Sequence, residues 1–172
     1  GGTYVEQGYG ITLDAAGNIF VVGNTDSYDN ASGPRIGFPF TNPGGGAWFA
    51  DETTTIYSNP TPGLPNFKAY YYIAKFTSTG LLTWASAMGQ ILYLHIRCDV
   101  VYNPVTDKII FLGQSPAPSF NAIQARAGSY NQTKQGSGND YVIVEFGTNG
   151  SLDWGTYFGG TDSEYNFWHH PV

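Results

Sequence analysis

"YVIVEFGTNGSLDWGTYFGG", residues 141–160, decides the fold, because an earlier stretch of the same chain repeats it. That stretch, "YYIAKFTSTGLLTWASAMGQ" at residues 71–90, aligns with it without a gap at an offset of 70 residues. Identical residues fall in register at Phe76/Phe146, Gly80/Gly150, Leu82/Leu152, Trp84/Trp154 and Gly89/Gly159. Agreement at fixed spacing between distant stretches is the mark of a structural repeat.

Two further elements recur outside these stretches. "GITLDAAGNIFVVGNT" at residues 10–25 resembles "DVVYNPVTDKIIFLGQS" at residues 99–115, with one extra residue in the turn. "GGTYVE" at residues 1–6 is matched by "GGTDSE" at residues 159–164. Repeats therefore begin at Gly1, Gly89 and Gly159. We expect a first unit over residues 1–88 with a long insertion at 25–69, a second unit over 89–158, and a truncated third over 159–172.

Each unit is predicted to form four short strands and no helix. Short apolar runs such as "IFVV" and "IIFL" are typical of strands that are covered on both faces. Glycines and Asx residues between the runs supply turns. The predicted strands are residues 9–14, 18–24, 70–77 and 81–88 in the first unit, and residues 98–103, 108–113, 140–147 and 151–158 in the second.

The composition agrees with an all-β class and argues against a nucleic-acid partner and against a membrane-spanning segment. Aromatic residues make up 16% of the chain and charged residues only 12%, against roughly 25% in an average globular protein. The net charge of −6, from 13 acidic and 7 basic residues, argues against nucleic acid as a partner. No apolar run reaches the roughly 18–20 residues of a membrane helix, so we expect no membrane-spanning segment.

The elements "GYGITLDAAGNIFVVGNT" and "DYVIVEFGTNGSLDWGTYFGG" resemble the bacterial β-propeller repeat called the SBBP repeat. Members of that family carry a strand ending in D-x-x-G-N-x-Y-V-x-G-x-T, then D-x-F-V-x-K, G-x-L-x-W-x-T-Y and a glycine pair. The resemblance extends over nearly the whole chain, once per unit. The second unit departs from it, because Asn103-Pro104-Val105-Thr106-Asp107 replaces the family's turn and Gln90 replaces the second glycine.

The resemblance implies an all-β fold of two four-stranded antiparallel propeller blades plus the start of a third. Because a propeller typically closes with about four to eight blades, we expect the chain to be a segment of a larger propeller. Its first partners would then be other blades of the same longer chain. Members of the family are mostly exported or surface proteins of bacteria, which implies an extracellular or cell-surface location. The resemblance implies no cofactor.

The repeated glycines and tryptophans are interpreted as structural positions. The spacing from Gly80 to Trp84, repeated at Gly150 and Trp154, is similar to that of quinoprotein propellers, in which the tryptophan docks between blades. That resemblance implies packing rather than a cofactor. The glycine pair, Gly159 and Gly160, is expected to let the chain cross to the next blade.

The best binding candidates are aromatic residues in the long first insertion. Aromatic side chains on loops above a rigid scaffold suit stacking on a sugar or anchoring a protein. The alternative is that they only seal the edge of the blade. These candidates are Phe38, Phe40, Trp48, Phe49 and Tyr57.

No metal site or nucleophile stands out. Asp26 and Asp29 could offer oxygen ligands to calcium, but their spacing fits an Asx-rich turn better. Cys98, the only cysteine, is interpreted as a small buried hydrophobe. The adjacent His169 and His170 would point to opposite sides of a strand.

We therefore expect a non-catalytic propeller scaffold of an exported bacterial surface protein, which serves adhesion or protein–protein assembly. Its partners would include surface proteins or proteins of a secretion complex. One alternative is a carbohydrate-binding propeller that uses the aromatic insertion. A second is part of a propeller hydrolase, which would need converging carboxylates or a metal from blades outside this segment.

Overall fold

The computed structural model describes residues 2, 5–26, 37–51, 69–91, 96–116 and 120–164, and all regular structure within these ranges is β-strand. The strands are β1 (Glu6–Leu13), β2 (Ile19–Thr25), β3 (Ala69–Phe76), β4 (Leu82–Ile91), β5 (Asp99–Asn103), β6 (Lys108–Ser115), β7 (Asp140–Gly147) and β8 (Leu152–Phe158).

The strands form two four-stranded sheets, sheet 1 in the order β1-β2-β3-β4 and sheet 2 in the order β5-β6-β7-β8. Every neighbouring pair is antiparallel. The prediction of two four-stranded antiparallel sheets is therefore confirmed. The start of β1 and the end of β4 differ most from the prediction, because β1 begins at Glu6 and β4 runs on to Ile91. At the start of β1, a register shift between Gly8 and Gly10 breaks the alternation.

The turns follow the residues that the repeat places in them. Gly80 and Gly150 share a φ of 89°, a left-handed conformation that favours glycine. In the β1–β2 turn, Asp14 Oδ1 accepts hydrogen bonds from the amides of Ala16 and Asn18, both at 2.9 Å. In the β5–β6 turn, where the repeat lacks its glycine, Asp107 takes a φ of 55°.

The two faces of each sheet are distinct, because side chains alternate along each strand. In sheet 1, one set of side chains points to the same face, which we call the front face: Phe20, Val22, Tyr71, Ile73, Trp84 and Met88. The residues at the same repeat positions form the front face of sheet 2, namely Ile110, Leu112, Tyr141, Ile143, Trp154 and Phe158. The back faces consist of Val21, Tyr72, Ala74, Phe76 and Ala85 in sheet 1, and of Phe111, Val142, Val144, Phe146 and Tyr157 in sheet 2.

The main core lies where the front face of sheet 1 packs on the back face of sheet 2. Both sets of residues belong to one buried apolar cluster, in which Trp84 meets Phe146 edge to face with ring centroids 5.5 Å apart. Burial of this apolar surface is the main term that holds the sheets together.

Polar groups fix the relative position of the two sheets. The hydroxyl of Tyr71 donates to the carbonyl of Gln114 at 2.9 Å and accepts from its amide at 3.0 Å, so it completes the backbone bonding of β6 from inside the core. At the other end, Lys75 Nζ donates to the carbonyl of Thr148 at 2.7 Å. These bonds define the register of one sheet on the next.

The substitution Tyr71→Phe tests this register. It leaves a buried amide and carbonyl of Gln114 without their partner, and we expect it to lower the free energy of unfolding by about 1–3 kcal/mol. The control is Tyr141→Phe, at the same repeat position on the half-buried front face of sheet 2, which should change stability by less than about 0.5 kcal/mol. Equal losses in urea unfolding would contradict this assignment.

Candidate functional site

Each long connection supplies an edge segment that lies along the outer strand of its own sheet. We define edge segment 1 as residues 37–51 and edge segment 2 as residues 120–132. Thr41 forms an antiparallel bridge with Ala85 of β4, and Gln124 forms one with Gly155 of β8. Since Ala85 and Gly155 occupy the same repeat position, the two connections cover their edges in the same way despite their different lengths.

The repeated tryptophans tie the edge segments to the sheets. Trp84 Nε1 donates to the carbonyl of Trp48 at 2.8 Å in the first unit. Trp154 Nε1 donates to the carbonyl of Tyr130 at 3.0 Å in the second. Trp48 and Tyr130 are thus equivalent residues, although the two connections have little sequence in common.

Three of the four predicted binding residues that the structure describes pack against the sheets. Phe38 stacks on Tyr72 of the back face of sheet 1 with ring centroids 4.5 Å apart, and Phe40 packs in the same cluster. Trp48 lies 5.8 Å from the ring of Phe146 in sheet 2. Phe49 is half-buried, and Tyr57 lies outside the described residues. Phe38 and Phe40 are therefore separated from Trp48, and the four do not form one aromatic platform.

The two repeated tryptophans lie in different surroundings. Trp84 is buried between the sheets, whereas Trp154 is half-buried on the face of sheet 2 that points away from sheet 1. The guanidinium of Arg126 lies over the Trp154 ring at 5.7 Å and forms an ion pair with Glu145. Both tryptophans were predicted to dock one blade on the next. Among the described residues, only Trp84 packs against a second sheet.

Among the described residues, no sheet packs on the apolar front face of sheet 2. Met88 is fully buried in sheet 1, while Phe158 at the same repeat position is 55% exposed. Val22 is fully buried, while its equivalent Leu112 is 37% exposed. The difference arises because sheet 2 covers the front face of sheet 1, so equivalent residues report directly on whether a neighbouring sheet is in place.

The back face of sheet 1 is open near β1. Ile11 is 67% exposed, while its equivalent Val100 in sheet 2 is only 6% exposed because sheet 1 lies over it. Leu13 is exposed as well, and its equivalent Tyr102 packs against the core. These exposed residues were not singled out from the sequence, although sorting the repeat alignment by face would have found them.

A buried charged cluster fixes the junction after β8. Lys134 Nζ donates to the carbonyl of Gly138 at 2.5 Å and lies 3.7 Å from Asp140 Oδ1. Glu164 approaches from the junction, where its Oε1 accepts from the amide of Gly160 at 2.8 Å. Within the described ranges, neither Asp140 Oδ1 nor Glu164 Oε2 accepts a hydrogen bond. The ammonium of Lys134 therefore offsets part of the buried charge of Asp140.

The glycine pair after β8 makes room for this cluster. A methyl group on Gly159 would lie 2.6 Å from Glu164 Oε2 and 2.9 Å from the carboxyl carbon of Asp140, so a larger residue there would collide with both. Edge segment 2 also holds Gly159, because Gln132 Nε2 donates to its carbonyl at 2.7 Å. The junction is thus a packed element rather than a free crossover.

The described residues contain no group of three or more His, Cys, Asp or Glu side chains that could hold a metal ion. Asp26 Oδ1 accepts from the amide of Val5 at 2.6 Å, while Asp29 lies outside the described residues, as do His169 and His170. Burial raises the pKa of the Cys98 thiol, and the neighbouring Asp99 carboxylate raises it further, which disfavours the reactive thiolate.

Two repeated antiparallel sheets, packed face to face and each with a covered outer edge, define a module of the β-propeller class. Residues 1–29 match the family model described as "SBBP: Beta-propeller repeat", which confirms the predicted resemblance over that stretch. No curated protein matches the chain in a sequence comparison. Among the described residues, no helix has the length and apolarity needed to cross a membrane.

The junction cluster can be tested by removing its cation. The substitution Lys134→Met leaves the fully buried Asp140 carboxylate without its counter-charge, and we expect it to lower the free energy of unfolding by about 3 kcal/mol. The control is Lys108→Met, which breaks a partly exposed ion pair with Asp153 and should cost less than about 1 kcal/mol. Similar losses in urea unfolding would show that Lys134 has no special role.

Proposed function

We propose that this chain is a non-catalytic structural module that holds propeller blades face to face in an exported bacterial surface protein, where it supports assembly or adhesion. The single observation that carries the structural part is the change in exposure at equivalent positions. Residues such as Met88 are fully buried where a neighbouring sheet is present, and residues such as Phe158 are exposed where the described part of the chain provides no such sheet.

The chemistry of the open faces supports a sheet as the neighbour. The front face of sheet 2 presents Leu112, Ile143 and Phe158 in the same arrangement that sheet 1 uses to bind sheet 2. Exposed apolar surface of this kind marks an interaction site. The match to a propeller repeat supports further blades of the same chain as the first neighbours.

The exported location is supported by the family resemblance, which covers proteins that are mostly secreted or anchored at the bacterial surface. Sugar binding receives less support, because Phe38, Phe40 and Trp48 already pack on sheet residues. We therefore propose assembly rather than glycan recognition as the role of the module.

Cysteine labelling of the full-length protein in the producing bacterium tests both parts of the proposal. A membrane-impermeant thiol reagent applied to intact cells should label Val105→Cys, because Val105 is 91% exposed in the β5–β6 turn. The same reagent should spare Phe158→Cys until the protein is unfolded, because a neighbouring blade covers that position. Cys98 should not contribute, since it is buried and its pKa is raised.

Two outcomes would contradict the proposal separately. Labelling of Val105→Cys only after cell lysis would place the module inside the cell and remove the surface role. Equal labelling of both variants on intact cells would show that the front face of sheet 2 stays open, and would remove the blade-packing role. Labelling of both variants after denaturation serves as the control for expression.

A further inference from the structure

We propose that Lys134 and Asp140 form an intramolecular amide bond, so that the chain carries its own covalent cross-link beside the junction after β8. The amine of Lys134 is the nucleophile, and the carboxyl carbon Cγ of Asp140 is the electrophile. The carboxyl group of Glu164 transfers protons between them. The link is independent of the proposed function, because it needs neither a neighbouring blade nor a particular compartment.

The side chains of Lys134 and Asp140 are buried together without a hydrogen bond between them. The side chain of Lys134 is 5% exposed and that of Asp140 is fully buried, with 3.7 Å between Nζ and Oδ1. This separation is beyond the range of a hydrogen bond, and Oδ1 accepts none from any described residue. Burial of charges without such a bond is costly. Transfer of one proton from the ammonium to the carboxylate relieves this cost, and it leaves an amine beside a carboxylic acid, the two reactants of an amide condensation.

Backbone groups hold both reactants in place. Lys134 Nζ donates to the carbonyl of Gly138 at 2.5 Å and to the carbonyls of Gln135 and Gly136, both at 3.3 Å. Asp140 Oδ2 accepts from the amide of Gln135 at 2.8 Å. This amide stabilises the negative charge that develops on Oδ2 when the amine attacks. The other oxygen, Oδ1, is therefore the one that leaves.

A third carboxyl group faces the pair across Gly159. A methyl group on Gly159 would lie 2.6 Å from Glu164 Oε2 and 2.9 Å from Asp140 Cγ, so the two carboxyl groups border the same small space. Glu164 Oε1 accepts from the amide of Gly160 at 2.8 Å, whereas Oε2 is buried and accepts from none of the described residues. Oε2 is therefore placed to take a proton from the attacking nitrogen and to pass it to the departing oxygen, which is general acid–base catalysis.

The reaction balances without a co-reactant. The lone pair of the Lys134 amine forms the bond from Nζ to Cγ, and an electron pair of the carbonyl group moves to Oδ2. Glu164 takes one proton from the nitrogen and gives it to the Oδ1 hydroxyl. The bond from Cγ to Oδ1 then breaks as the carbonyl reforms, and Oδ1 leaves as one water molecule. Nothing is oxidised or reduced, and burial keeps bulk water away from the product amide.

A second lysine–carboxylate pair in the chain lacks these features and serves as a control. Lys108 contacts Asp153 Oδ2 directly, but their side chains are 31% and 22% exposed. Asp153 Oδ1 accepts from the hydroxyl of Ser151 at 3.0 Å, so both of its carboxylate oxygens have partners. We therefore expect Lys108 to keep a free amine.

The amide bond closes a ring of residues 134–140 at the start of β7. This loop packs closely on the junction, since a methyl group on Gly138 would lie 2.5 Å from Ser163 Oγ. The carbonyl of Asn139 also accepts from the amide of Glu164 at 2.7 Å. The cross-link therefore fixes the loop that holds the start of the third repeat on sheet 2.

Peptide mass spectrometry of the full-length protein, isolated from the producing bacterium and denatured, tests the proposal. Trypsin cleaves after a lysine only when its side-chain amine is free, and a glutamate-specific protease cleaves after Glu145. The linked protein should yield residues 127–145 as one peptide that is lighter by one water molecule. The same digest should cleave after Lys108 and should contain no peptide joined to Asp153.

Five variants assign the roles of the groups. Lys134→Arg keeps a cation but removes the amine, and Asp140→Ala removes the electrophile, so neither should contain the link. Asp140→Asn should give the same linked peptide, because ammonia replaces water as the leaving group. Glu164→Gln should slow linkage by about 100-fold, measured as the linked fraction at successive times after synthesis. The control Asp162→Asn, at an exposed acid in the same junction, should link at the wild-type rate.

Cleavage after Lys134 in the wild type, at unchanged mass, would overturn the proposal. Loss of water with cleavage retained would indicate a cyclic imide at Asp140 and would overturn it as well, as would linkage of Glu164→Gln at the wild-type rate. The wild-type digest decides by itself, so poor folding of a variant leaves the test intact. None of these results depends on the labelling of Phe158→Cys, so failure of the link and failure of the proposed function are distinguishable.

Discussion

The structure depends on one constraint, which is that each four-stranded sheet is apolar on both faces and must be covered twice. Phe20 and Val21 are consecutive in β2, yet one belongs to the core between the sheets and the other to the opposite cluster with Tyr72. A strand of this kind needs cover on both of its faces. Sheet 2 covers the front face of sheet 1, while Phe38 and Phe40 of edge segment 1 pack on part of its back face.

Stacking leaves the outer edge of each sheet to be covered by other means, and the long connections do this. Edge segments 1 and 2 bond to β4 and β8 at the same repeat position, through Ala85 and Gly155. Protection of a sheet edge limits unwanted strand pairing. Each connection therefore has two roles. It covers the edge of its own sheet, and it contributes a side chain to the interface between the sheets, Trp48 in the first unit and Phe120 in the second.

Much of the fold could be predicted from the sequence, because repeated turn glycines and apolar runs define strands locally. Gly80 and Gly150 lie in the expected turns, and β7 has its expected limits. The start of β1 was missed, since the bulge at Gly8 and Gly10 interrupts alternation. The edge segments and the Lys134–Asp140 cluster were also missed, because they depend on long-range contacts between stretches without a repeated pattern. The aromatic side chains of the insertion were recognised as important, but a composition-based reading cannot separate packing from recognition.

The front-to-back geometry explains why equivalent positions in the repeat have different surroundings and, in places, different residues. Tyrosine stands at both 71 and 141, yet Tyr71 is fully buried and bonds to Gln114, whereas Tyr141 is only half-buried. Lys75 bonds across the interface, whereas Glu145 pairs with Arg126 of its own unit. Positions that face a neighbouring sheet must complement that particular neighbour, whereas Gly80 and Gly150 obey only local backbone geometry and are the same residue in both units. The two units therefore share the glycines of the β3–β4 and β7–β8 turns and the position of the edge bridge, while residues on equivalent faces differ where they contact different neighbours.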